Sequence, residues 1–146
     1  MTTQVLTKMP TLNLPPGLAA GTPDAPPIAR LFVYGTLRQG RGNHRLLDGA
    51  RFLGVRHTQP AFTMVNLGSF PGVLAGGQTS IVGEVYEVTD PGMLAKIDRL
   101  EGHPQWYVRT PIRTIEGDDV EIYIYPSNEI HGFRQTIVES GDWTAR

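Results

Sequence analysis

The chain has 146 residues, 40% of them hydrophobic, and a formal net charge of −1. That is enough length for one ordinary domain with its own core, and too weak a net field for general nucleic-acid binding. There is no cysteine, which excludes disulfides, thiolate nucleophiles, thiolate zinc sites and iron–sulfur clusters.

Residues 1–29 hold six of the twelve prolines, no aromatic residue, and only Lys8 and Asp24 as charges. Stretches such as Pro23-Asp24-Ala25-Pro26-Pro27 suit extended chain. They predict a flexible proline-rich N-terminal arm over 1–29 and a folded domain over 30–146. All the aromatic residues lie from Phe32 onward. No basic segment followed by an apolar run marks a signal peptide, and no apolar run approaches the roughly 18 residues of a membrane span. The expected setting is therefore cytoplasmic, with no membrane partner.

The apolar run Leu31-Phe32-Val33-Tyr34 predicts a buried strand entering a turn at Gly35. Asn43 is placed to cap a short helical turn carrying Leu46 and Leu47. Residues 51–65 read as two strands broken near Pro60, and residues 67–77 as a glycine-rich loop around Phe70-Pro71. Residues 81–88 read as a central strand, with apolar residues on both faces. Asp90, Pro91 and Gly102 fit the N-cap, first and C-prime positions of a helix whose apolar stripe is Met93, Leu94, Ile97 and Leu100. Residues 107–115 and 120–125 form a hairpin about a turn at 116–119. About six strands, one good helix and one or two helical turns make an α+β fold or a small mixed barrel rather than a doubly wound sheet.

One helical residue breaks the pattern. At about 100° per residue, with Leu94 at zero, Ile97 falls at about 300° and Glu101 at about 340°. A carboxyl group thus sits on the core-facing stripe, in the last turn. Asp98 lies nearer the boundary, while Lys96 and Arg99 point away. Burial and the negative end of the helix dipole would both raise the pKa of Glu101 toward the range useful for proton transfer. The alternatives are an ion pair with an arginine such as Arg109, or a side chain turned to solvent.

The turn Tyr34-Gly35-Thr36-Leu37-Arg38 is either an ordinary turn or a set of backbone N–H donors converging on one point. Such donors suit a carboxylate or the oxyanion of a tetrahedral acyl intermediate. It is not a Walker loop, because no Gly-Lys-Ser/Thr follows, and it does not match the dinucleotide pattern. The four histidines, His44, His57, His103 and His131, lack close ligand spacing, so no metal is expected. Six arginines between Arg30 and Arg56 read as a solvated surface, the alternative being attraction of an anionic substrate or RNA. Tyr107, Tyr123 and Tyr125 either pack in the core or line a pocket with Trp106 at its rim; Tyr107 and Tyr125 are the two to test.

Taken together, Phe32-Val33-Tyr34-Gly35-Thr36-Leu37-Arg38, then Gly42-Asn43-His44-Arg45-Leu46-Leu47, resemble the opening of the gamma-glutamylcyclotransferase-like family. The gamma-glutamylamine cyclotransferase branch is the nearer likeness. Gly83-Glu84-Val85-Tyr86-Glu87-Val88, Ile97-Asp98-Arg99-Leu100-Glu101-Gly102-His103-Pro104 and Tyr107-Val108-Arg109 continue it in order, over about residues 30–126. The resemblance implies a small mixed β-barrel with short helices. It also implies cyclisation of a gamma-glutamyl amine or amide to 5-oxoproline and a free amine, without metal or cofactor. Glu101 matches the family's acid/base, and Tyr34, Gly35, Thr36 and Leu37 match its substrate loop. The expected partner is a small gamma-glutamyl compound, with no nucleic acid, and the chain is expected to be a monomer or weak dimer. The competing reading is a non-catalytic module that binds a small carboxylate metabolite.

Overall fold

The structure, a computed structural model, describes residues 26–126 and 136–145. The strands are β1 (Ala29–Val33), β2 (Arg51–His57), β3 (Phe62–Asn66), β4 (Pro71–Ala75), β5 (Val82–Val88), β6 (Val108–Arg113) and β7 (Asp119–Ile124). Helix α1 spans Pro91–Glu101, and short 3₁₀ turns cover His44–Leu47 and Trp143–Ala145. The proline-rich arm lies outside the described residues as far as residue 25. The chain is already engaged at Ile28, whose N–H donates to Val88 O, and β1 opens at Ala29.

Five strands form one sheet in the order β2-β5-β1-β7-β6. The sheet is mixed: β1 runs parallel to β7 and antiparallel to β5. Alternation along the central strand divides the core. Phe32 packs on one face with Val85, Ile122, and Met64 and Val73 from the β3–β4 hairpin. Leu31 and Val33 point to the other face, with Tyr86, Tyr123, and Ile97 of α1. Ile97 is wholly buried, and such a side chain contributes roughly 1.5–3 kcal/mol.

Two expectations change. The sheet is open rather than closed into a barrel, and the hairpin forms a second sheet of its own. Both ends of the large sheet resist extension. Edge strand β6 carries Pro111, which has no N–H to offer a neighbour, and β2 is irregular between Phe52 and Gly54. The hairpin meets the large sheet through Tyr125 N–H to Val73 O, 2.8 Å. In addition, the stretch expected to be a loop over 67–77 contains β4, giving seven described strands rather than six. Its Val73 and Leu74 are buried and pair with Met64 and Thr63 of β3.

Helix α1 follows its local signals. The Asp90 side chain accepts from Gly92 N–H at 2.9 Å, Pro91 opens the helix, and Gly102 closes it at φ 67°. Asp90→Ala should lower unfolding free energy by about 1 kcal/mol in urea titrations, through loss of that cap. Leu100 departs from the expected stripe. It is 42% exposed and lines a cleft, while Ile97 is the buried residue of the helix. Asn43 precedes the 3₁₀ turn, but its side chain makes no capping bond.

Candidate active site

A cleft of about 710 Å³ opens where the end of β1, the last turn of α1, the hairpin and β7 meet. Its lining includes Tyr34, Gly35, Thr36 and Leu37 from the turn after β1, and Glu101 from α1. Tyr107, Tyr123 and Tyr125 complete one wall. Every residue singled out in the sequence as a site residue therefore borders one cleft. Trp106, 67% exposed, stands at its rim, with Phe70 and Leu100 also lining it.

Glu101 is half-buried at the end of α1. Burial, and then the negative charge of Asp98 one turn earlier, push its carboxyl from 4.5 up to about 7. Arg109, the arginine named as an alternative partner for Glu101, is engaged elsewhere. Arg109 Nη1 lies 3.2 Å from Asp98 Oδ2, and Arg109 N–H donates to His103 Nδ1 at 3.1 Å. His103 is thereby a turn residue, its ring nitrogen occupied by backbone. Gly102 lets the chain leave the helix close to Trp106: a Cβ there would come 2.7 Å from Trp106 Cδ1, besides the left-handed φ.

The turn after β1 has its own bracing. Arg38 N–H donates to Gly35 O and Asn43 N–H to Thr36 O, both at 3.0 Å. The N–H groups of Gly35, Thr36 and Leu37 have no partner among the described residues. Asn43, expected as a cap, serves this turn instead: its Nδ2 donates to Thr36 Oγ1 at 2.9 Å. That bond uses an acceptor site of the Thr36 hydroxyl and leaves its proton to be donated elsewhere. Gly35 is required by close approach, since a Cβ would lie 2.7 Å from the Pro71 ring.

Behind the turn stands Glu84 of β5, which is buried. Its Oε1 accepts from Gln39 N–H (2.9 Å) and Tyr86 Oη (3.0 Å), and its Oε2 from Arg38 Nε (3.1 Å). Arg38 is itself buried and reaches Asp142 at 2.9 Å. A buried ion pair with its lone pairs satisfied is costly to break from one side, so it fixes the turn's position. Sequence reading placed Glu84 on an interior strand without giving it a task. The signal was a carboxylate amid Val82, Tyr86 and Val88 on one strand face. The arginine-rich stretch is largely paired: Arg30 with Glu87, and Arg56 with Asp118.

The tyrosines are structural as well as lining. Tyr34 Oη donates to Tyr123 O at 2.7 Å, and Tyr107 Oη to Pro71 O at 3.0 Å. Burial, then the Glu101 charge, pushes the pKa of both phenols up, so they stay neutral. The Tyr107 and Tyr125 rings meet edge to face at 5.9 Å. Among the described residues no three His, Asp or Glu side chains gather as a metal site; His131 lies outside them. No described helix is long and apolar enough to cross a membrane.

The turn after β1, whose Gly35, Thr36 and Leu37 N–H groups lack partners among the described residues, and the half-buried Glu101 thus line one cleft of a mixed-sheet fold. Comparison with known proteins places the chain in a family. The sequence model of the gamma-glutamyl cyclotransferase, AIG2-like family matches residues 31–145, and the chain belongs to that family. It is 43% identical over 116 residues to a Vibrio cholerae protein whose name assigns it provisionally to the gamma-glutamylcyclotransferases, covering 80% of this chain and 96% of that one. It is 35% identical over 117 residues to the gamma-glutamylcyclotransferase family protein YtfP of Escherichia coli K12, covering 80% and 97%. The solution structure of E. coli YtfP superposes with a TM-score of 0.61 at 34% identity, over 78% of this chain and 95% of that one. An AIG2-like protein of Mus musculus gives 0.57 at 34%, over 71% and 80%.

Proposed function

We propose that the chain cyclises a gamma-glutamyl amine or amide, releasing 5-oxoproline and a free amine, with Glu101 as general acid/base. The observation that carries this reading is the cleft itself, lined by a carboxyl of raised pKa and by a turn whose N–H donors have no partner among the described residues.

The substrate's α-nitrogen enters as an ammonium group. The Glu101 carboxylate takes a proton from it, and the freed amine attacks its own γ-carbonyl carbon, closing a five-membered ring. The N–H groups of Gly35, Thr36 and Leu37 are suited to the α-carboxylate or to the oxyanion of the tetrahedral intermediate. Collapse breaks the bond to the leaving nitrogen, which receives its proton from Glu101. In all, two protons leave the α-nitrogen, two reach the leaving amine, and Glu101 ends as it began. Because the attack is intramolecular, holding the folded conformer is a large part of the task. These steps use only side chains and backbone of this chain, and the small gamma-glutamyl compound is the sole partner they require. Neither nucleic acid nor membrane enters, and a monomer or weak dimer in the cytoplasm would suffice.

The test is release of 5-oxoproline from gamma-glutamyl-ε-lysine, simple gamma-glutamyl dipeptides, alkyl amides and glutathione. At least one should turn over. Since Glu101 must be ionised to take the proton, kcat/KM should rise with pH through a midpoint of about 7. A rate that is flat from about pH 5 to 8 would contradict the assigned base. Binding of these compounds without turnover would favour the carboxylate-binding module instead.

A further inference from the structure

Glu101 does not act alone on α1. Asp98 precedes it by three residues, so the two carboxyl groups share a helix face. Asp98 is held from two other elements. Its Oδ1 accepts from Tyr123 Oη of β7 at 2.7 Å, and Arg109 Nη1 of β6 lies 3.2 Å from Oδ2 and 3.4 Å from Oδ1. Arg109 Nε also stands 3.5 Å from Glu121 Oε2 on β7. The side chains of Asp98 and Arg109 are each about one-fifth exposed, so solvent screens their charges only in part.

The other groups near Glu101 are of a different kind. Tyr34, Tyr107 and Tyr123 border the same cleft as neutral phenols, their pKa values raised by burial first. Arg99 lines the cleft from α1 but is exposed to solvent. His103 has its Nδ1 engaged by the Arg109 backbone. Asp98 is thus a fixed, partly buried neighbour of Glu101 with its own dedicated partners on two strands.

We propose that Asp98 is a positioning residue for the reaction: its carboxylate, locked by Tyr123 and Arg109, holds a negative charge one helical turn before Glu101 and sets that glutamate's affinity for the proton it must take and return. Arg109, paired with Asp98, limits the effect by balancing part of its charge. The two residues therefore act in opposite senses on one group. The inference rests on Glu101 being the acid/base, and it assigns Asp98 no contact with substrate.

Two substitutions separate this from a merely structural role. Asp98→Asn keeps the side-chain shape and removes the charge; Arg109→Gln removes the counter-charge. In the pH profile of kcat/KM for 5-oxoproline release, the Asp98→Asn acid limb should move down by about one pH unit, with lower kcat at high pH from the weaker base. The Arg109→Gln limb should move up. The same displacements should appear in a carbon-13 NMR titration of the Glu101 carboxyl, which needs no turnover. Changes in KM, kcat or stability with an unmoved Glu101 titration in both variants overturn the proposal, as do shifts of the same sign. If Asp98→Asn fails to fold, an unmoved or downward shift in Arg109→Gln is enough to overturn it. A displaced titration in an enzyme that releases no 5-oxoproline from any substrate would instead overturn the reaction proposed for the site while leaving the electrostatic role of Asp98 intact.

Discussion

Glu101→Gln is expected to lower kcat for 5-oxoproline release by about 10²–10⁴-fold while KM changes only a few-fold. Glutamine keeps the length and shape of the side chain, so the cleft and its N–H donors persist. What it loses is the ability to take a proton from the substrate ammonium and hand one to the leaving nitrogen. A residual rate should remain, because holding the folded conformer and stabilising the oxyanion are independent of this group. The acid limb of about pH 7 should vanish along with the rate, since it belongs to the Glu101 carboxyl. Steady-state kinetics across pH decide the matter. A raised KM with kcat intact would make Glu101 a binding residue rather than a proton carrier. A variant as fast as the wild type would remove it from the mechanism altogether.

Local rules carried the sequence reading furthest where the structure depends on neighbours in the chain. Asp90, Pro91 and Gly102 delimit α1 as the sequence signals them, and helical periodicity set Glu101 beside the apolar stripe, where it is half-buried and lines the cleft. The same periodicity misplaced Leu100, which is exposed and lines the cleft, because what covers each part of a helix face is a tertiary fact. Strand β4 was hidden for a related reason. Pro71 and Gly72 punctuate the sequence like a loop, and only pairing with β3, Met64 opposite Val73, turns it into a strand. Asn43 has the side chain of a cap, but its Nδ2 donates to Thr36 Oγ1, seven residues earlier, and its side chain makes no capping bond. The supports of the site were the least legible part. Glu84 reaches Arg38 across 46 positions, and Asp98 reaches Tyr123 across 25. Such contacts have no period or spacing to betray them. The open sheet likewise depends on what each edge strand meets, which no single strand encodes.

The second large effect is on stability, and its sign is opposite to that on rate. In the unfolded chain the Glu101 carboxyl titrates at its ordinary 4.5, and in the folded protein at about 7. Between those values the folded state keeps a proton that the unfolded state has lost. The associated stability is therefore complete below about pH 4.5 and is lost as pH rises through about 7. The shift corresponds to roughly 3 kcal/mol. Glu101→Gln is neutral at every pH and has no such loss. Urea unfolding of wild type and variant at about pH 4 and about pH 8 should therefore show the difference, variant minus wild type, growing by roughly 3 kcal/mol in the variant's favour. Taking the difference removes every other titrating group that the two chains share. Parallel stability–pH curves would mean that Glu101 titrates like an ordinary surface carboxylate, and the proton-transfer role would then lose its physical basis. A variant that is more stable at neutral pH yet far slower would show the converse. It would mean that the fold tolerates a poorly solvated charge at the end of α1, beside Asp98, because only the ionised form of Glu101 can accept the substrate's proton.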